Sequence, residues 1–195
     1  MNKLEIKRQL WHLLGGLGLV ALIYFDLVNF WYLLIGFFGV AVLFIVYQKF
    51  WKIPVLRFFI ENLERKNNLE KYPGMGSLLF LLSAVIVVGL FPKEIAMAGL
   101  VILAFGDSIP VLFGGYGRIQ YFHNKKKTWE GILMGIVLSA LAARLFVAWY
   151  EAWIAAAVVM LIEGFDLKIF GWKLDDNLMI PILAGLIIYL LRIII

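Results

Sequence analysis

Apolar residues run along this chain in long blocks broken by short polar clusters. A bilayer core takes about 20 apolar residues of helix, and fewer when polar anchors flank the run. Seven blocks meet that demand: roughly Leu10–Tyr24, Leu27–Tyr47, Ser77–Phe91, Ile95–Phe113, Gly131–Tyr150, Ala152–Ile162 and Leu178–Ile195. The first and sixth are short. Continuous runs predict helices, because the strands of a membrane barrel alternate at period two. The expected fold is therefore all-α: a polytopic, integral membrane bundle of about seven transmembrane helices, forming one domain over residues 1–195. No repeat and no linker divides it. The stretch 48–76 carries mixed charge, including Glu61, Glu64, Arg65 and Lys66, and reads as a cytoplasmic interfacial loop. The first block is expected to be retained, since no small-residue cleavage site follows its basic flank before the next block begins.

Composition agrees. Of 195 residues, 64% are hydrophobic and only 16% charged, where a soluble domain carries about 25% charged. Mean hydropathy is +0.94. A water-soluble monomer of this size could not hide so much apolar surface, and a disordered chain would be far more polar. There is no cysteine, hence no disulfide framework and no thiolate metal site. The two histidines could not build a zinc site without carboxylates.

Charge sets the sides. With odd and even loops alternating, fifteen of the 18 basic residues fall on one face. They are Lys3, Lys7 and Arg8, then Lys49 to Lys71, then Arg118 and Lys125 to Lys127, then Lys168 and Lys173. That face is read as cytoplasmic, with the N-terminus. Lys93, Arg144 and Arg192 stand apart, the second of them inside the fifth block. The net charge of +5 is thereby explained without a nucleic acid partner. Acidic residues weigh little in topology, yet Asp107, Glu130, Glu163, Asp166, Asp175 and Asp176 also gather at the inner ends, while Asp26, Glu94 and Glu151 fall in short outer turns. Carboxylates beside a basic inner surface suit Mg²⁺ and a polyphosphate.

Four constellations carry the chemistry. In the first, Glu5, Arg8 and His12 share one helical face, with Lys7 pointing away. They are an interfacial anchor or a phosphate- and hydroxyl-facing cluster. The second is Phe105-Gly106-Asp107-Ser108-Ile109-Pro110. Gly106 and Pro110 predict a broken or kinked helix, with Asp107 or Ser108 capping the new half or Asp107 serving as a metal ligand. The third joins Gly114, Gly115, Gly117 and Arg118 to Lys125-Lys126-Lys127-Thr128-Trp129-Glu130-Gly131. Glycines let backbone N–H groups approach phosphate oxygens, and Thr128 sits where it would cap the fifth helix, whose start could hold an anion. In the fourth, Glu163 precedes Asp166 by one turn, Asp175-Asp176-Asn177 follows before Pro181, and Asp176-Asn177 opens the last block, where capping alone would explain the pair. Oxygen-bearing side chains at one mouth serve either as caps or as ligands to a hard cation.

In this order, from Glu5 to Pro181, the motifs resemble those of the polyprenol (dolichol) kinase family. That family also contains phytol kinases and CTP-dependent diacylglycerol kinases, and it is related to the phosphatidate cytidylyltransferases. The resemblance rests on Lys7-Arg8 with His12, on Gly106-Asp107 with the downstream glycines, on Lys127-Thr128-Trp129-Glu130-Gly131, and on Glu163 with Asp176-Asn177 before Pro181. Pro110 stands where these proteins more often carry a small residue. The resemblance implies CTP as phosphoryl donor, Mg²⁺ as cofactor and a membrane lipid alcohol as acceptor. It marks Lys127, Thr128 and Glu130 as the nucleotide motif, joined by Arg118, Gly114, Gly117 and Asn177. Asp107 and Asp176, with Glu163, are the implied metal positions, and Arg8 and His12 face the lipid or phosphate. Lys127 is counted among the catalytic residues, while His12, Asp107 and Glu130 are the candidate bases. The cytidylyltransferases share the Lys-Thr-x-Glu-Gly element but end in a His-Gly-Gly…Asp-Arg segment that this sequence lacks. A CDP-lipid-forming enzyme is thus the second expectation, and a non-catalytic lipid transporter or scaffold the third. The length is that of a minimal core in a prokaryotic plasma membrane, with the site facing the cytoplasm. A homodimer is left open.

Overall fold

A computed structural model describes residues 3–49, 54, 74–125, 127–165, 168–169 and 172–195. Nearly all of the 48–76 loop, together with Lys126 and Asp166, lies outside that set. The described residues form seven helices: α1 (Lys3–Tyr24), α2 (Phe30–Lys49), α3 (Met75–Leu90), α4 (Lys93–Gly114), α5 (Trp129–Ala143), α6 (Trp149–Gly164) and α7 (Asp176–Ile194). Each matches one apolar block of the sequence. One element is not helical: a short antiparallel pair, β1 (Lys168–Ile169) with β2 (Trp172–Lys173), sits between α6 and α7.

Three helices, α2, α4 and α7, are long and apolar enough to cross a membrane, and α3 and α5 are shorter apolar helices. α4 is the axis of the bundle. It packs against α1, α3, α5, α6 and α7, and residues 95–104 along it are all buried. Small side chains make this crowding possible. A Cβ on Gly99 would lie 2.8 Å from the Pro181 carbonyl oxygen, so only glycine lets α7 come that close. α2 packs on α3 at the edge, with Trp31, Ile35, Phe38, Val42 and Ile45 exposed. Such an outward apolar surface is at home in hydrocarbon rather than water.

The structure corrects the sequence reading at several points. α4 runs unbroken through Gly106 and Pro110, so neither Asp107 nor Ser108 caps a half-helix. A proline in a packed membrane helix is tolerated when neighbours close around it. Here Gly131 and Gly135 of α5 leave room for the Pro110 carbonyl and ring, where an added Cβ would meet each of them at 2.7 Å. The Ser108 hydroxyl instead donates to the Gln9 carbonyl oxygen of α1, 3.2 Å away.

The fifth block also ends early. α5 stops at Ala143, and the N–H groups of residues 144–147 close tight turns onto the carbonyls of Ala140, Ala142 and Ala143. Arg144 is therefore exposed in a turn and not inside a span, which relieves the cost of a guanidinium in hydrocarbon. Glu151, read as part of a short outer turn, lies in the first turn of α6 with its side chain only 3% exposed. It accepts the Ala148 N–H at 2.9 Å and two bonds from Arg192 of α7, at 2.8 and 3.2 Å. At the same end of the bundle, Lys93 meets Asp26 at 2.5 Å and the Tyr24 carbonyl at 3.1 Å.

Candidate functional site

The opposite end holds the N-terminus of α1, the C-termini of α4 and α6 and the starts of α5 and α7. On α1, Glu5, Arg8 and His12 share a face, as their spacing predicts. Arg8 Nη2 donates to Glu5 Oε1 at 2.6 Å, and Gln9 Nε2 reaches the same oxygen at 3.3 Å. Gln9 is only 1% exposed. Its Oε1, together with Arg8 Nε and His12 Nδ1, is buried without a hydrogen-bond partner. Sequence reasoning passes over Gln9. Its signal is an amide four residues after Glu5, on a face that otherwise turns apolar.

His12 ties α1 to α7. Asp175 caps α7: its Oδ1 accepts the Asn177 N–H at 3.0 Å and the Asn177 side-chain Nδ2 at 2.9 Å. The cap is thus Asp175, and not the Asp176-Asn177 pair that the sequence suggests. With Nδ2 turned to Asp175, Asn177 presents Oδ1 to His12 Nε2 at 2.6 Å. An amide oxygen only accepts, so Nε2 carries the proton, and in the neutral ring Nδ1 keeps a free lone pair. Asp107 Oδ2 stands 3.8 Å from the same Nε2. The edge of the His12 ring rests on Phe80, with centroids 5.5 Å apart.

Lys127 binds the end of α6. Its ammonium donates to the Glu163 carbonyl at 3.0 Å and forms an ion pair with Glu163 Oε1. Glu163 is 5% exposed and its Oε2 has no partner. The charges of Asp176 and Asp107 also reach Glu163. The Lys127 backbone is fixed on both sides. Its N–H donates to the Asn124 carbonyl at 2.9 Å, and its carbonyl accepts from the Tyr121 N–H at 2.8 Å. Tyr121 is buried, which pushes its phenol up, and its hydroxyl donates to the Leu161 carbonyl at 3.2 Å. The aromatic rings of Trp129 and Phe165 pack edge-on against it.

The glycine loop closes over the start of α5. Thr128 is its N-cap, accepting the Gly131 N–H at 3.3 Å while donating to the Gly114 carbonyl at 3.3 Å. Glu130 folds back to accept the N–H groups of Arg118 at 2.8 Å and Ile119 at 3.1 Å. A Cβ at Gly117 would fall 2.4 Å from Thr128 Oγ1 and 2.8 Å from Glu130 Oε2, so the loop must be bare there. Arg118 and Lys125 are exposed.

Two groups result. His12, Asp107, Lys127, Glu163, Asp176 and Asn177 meet at the mouth, with Arg8 one turn before His12. Beside them Gly114, Gly117, Arg118, Thr128 and Glu130 build the loop at the start of α5. Among the described residues, no three histidine, aspartate or glutamate side chains are gathered closely enough to enclose a metal by themselves. Mg²⁺ asks for less: one or two carboxylates, with phosphates and water completing its shell. Of the three expected metal positions, Glu163 has a carboxylate oxygen that is buried and unpartnered. Comparisons of the chain with protein-family models, with curated proteins and with solved structures gave no match.

Proposed function

We propose that this protein is a CTP-dependent kinase that phosphorylates a membrane lipid alcohol of the polyprenol or dolichol kind at the cytoplasmic face of a prokaryotic plasma membrane. The observation that carries the reading is convergence. Residues from α1, α4, the loop before α5, the end of α6 and the start of α7 form one polar mouth on an otherwise apolar bundle. In membrane proteins, buried ionisable residues mark function more often than structure.

Phosphoryl transfer needs positioning and charge neutralisation more than covalent chemistry. The N-terminus of α5 and the loop N–H groups suit the triphosphate. Lys127 and Arg118 offset the charge that develops on it. Asp107 and Asp176 with Glu163 would hold Mg²⁺, which would neutralise further charge on the phosphates. The acceptor hydroxyl gives its proton to a base as its oxygen bonds the γ-phosphorus, and the bond to the β-phosphate oxygen breaks to release CDP. His12, whose Nδ1 is buried and unpartnered, and Asp107, 3.8 Å from its Nε2, are the candidate bases at the mouth. Glu130 is the third candidate base by sequence, but it already accepts two loop N–H groups and so fixes the Arg118–Ile119 segment. The hydrocarbon tail lies between the helices.

The test is product analysis. Purified protein is given a panel of lipid alcohols with CTP labelled at either the α- or the γ-phosphate. A kinase moves only the γ-label into lipid. Entry of the α-label would establish CDP-lipid formation instead, and lipid movement without nucleotide consumption would leave a transporter.

The proposed orientation has seven spans, with the N-terminus inside and the C-terminus outside. Its support is the positive-inside rule together with the up-and-down order of the helices. Reporter tags are expected to report a cytoplasmic N-terminus and an external C-terminus. Both ends on one side would remove a span and split the mouth between two faces.

A further inference from the structure

We infer that Lys127 is a latch: without nucleotide its ammonium occupies the cation position on Glu163, and a triphosphate draws it away so that a divalent cation takes its place. The inference rests on the kinase reading and adds an order of events to it.

Three features lead there. First, among the described residues the Lys127 ammonium bonds to one residue, through the Glu163 carbonyl and carboxylate. The C-terminal end of a helix, where carbonyls are unpaired and the dipole is negative, is a natural cation seat. Second, the seat is underfilled. Glu163 Oε2 is buried with no partner, which is costly for a carboxylate. The charges of Asp107 and Asp176 also bear on Glu163, and such negative surroundings suit a divalent ion. Third, the part that must move is a side chain. The Lys127 backbone is pinned to Asn124 and Tyr121, while its side chain is a flexible four-carbon stem ending in a compact charge. Swinging that stem toward the start of α5, where Thr128 is the next residue, needs no backbone change.

The consequence is reciprocal coupling: nucleotide raises metal affinity, and metal raises nucleotide affinity by the same factor. The experiment titrates Mn²⁺ into detergent-purified protein and follows free Mn²⁺ by its paramagnetic resonance, with and without a non-hydrolysable CTP analogue. In the wild type, the analogue should tighten Mn²⁺ by about tenfold or more, within the usual range of such couplings. Lys127→Met should bind Mn²⁺ about tenfold tighter than wild type without any analogue, and should lose the coupling. Lys125→Met removes the same charge from an exposed position and should change little. Mn²⁺ affinity unchanged in Lys127→Met, or raised equally in Lys125→Met, would overturn the latch. Glu163→Gln opens it from the other side, and should bind the analogue in the absence of metal more tightly than wild type does. Equal affinity there overturns it as well. If the analogue binds no variant, the nucleotide reading fails, while the Mn²⁺ comparison between Lys127→Met and wild type still decides the latch.

Discussion

Asp107→Asn is expected to cut turnover about a hundredfold or more and to leave the fold intact. That loss corresponds to about 3 kcal/mol of transition-state stabilisation, the scale of one preorganised electrostatic contact. The substitution keeps the size of the side chain and removes its charge. A capping role is excluded, since α4 passes through position 107 without a break. What remains is the charge, set 3.8 Å from His12 Nε2 and within reach of Glu163. The measurement is Mg²⁺-dependent phosphorylation of lipid alcohol on protein with an unchanged melting profile. Activity near that of the wild type would place the aspartate outside the reaction.

The second large effect separates lysines that look alike in sequence. If the run Lys125 to Lys127 only held the loop on the inner side, single Lys→Met changes would be equally mild. In the fold they differ. Lys127 is joined to Glu163 at the mouth, while Lys125 is exposed. Lys127→Met should therefore abolish most turnover at saturating lipid, and Lys125→Met should keep most of it. Lys127→Arg should restore only part, since a planar fork replaces a compact point charge. Steady-state rates with varied CTP decide the matter, and small, equal losses at both positions would return the run to topology alone.

Much of this was legible in the residues. Long apolar blocks locate the helices because in hydrocarbon every backbone group must pair within its own segment. The Thr128 cap is legible because capping is local chemistry over three residues. His12, Asp107, Lys127, Glu163 and Asn177 stand out as polar groups at the edges of apolar runs. What escapes is whatever depends on a neighbouring helix. Pro110 signals a break only for an isolated helix, and the glycines of α5 that accommodate it lie more than twenty residues away. Gln9 reads as an ordinary polar residue until α4 covers it. The end of α5 at Ala143 is hidden because Leu145 to Ala148 continue the apolar pattern, and only the turn shows that Arg144 lies outside the helix.

The Glu151–Arg192 pair also bears on the far end of the molecule. Helices that slide past one another change level by 1.5 Å per residue, and apolar faces resist such slippage weakly, since one leucine fits much like another. A buried carboxylate gripped by two nitrogen donors does not permit it, because a slip would strand the charge. From that pin, Glu163 lies twelve residues along α6, about 18 Å, and Asn177 lies fifteen along α7, about 22 Å. The pair thus works as the zero mark of two parallel rulers. It sets the height at which a lysine-binding carboxylate and a histidine-orienting amide arrive at the other end of the bundle.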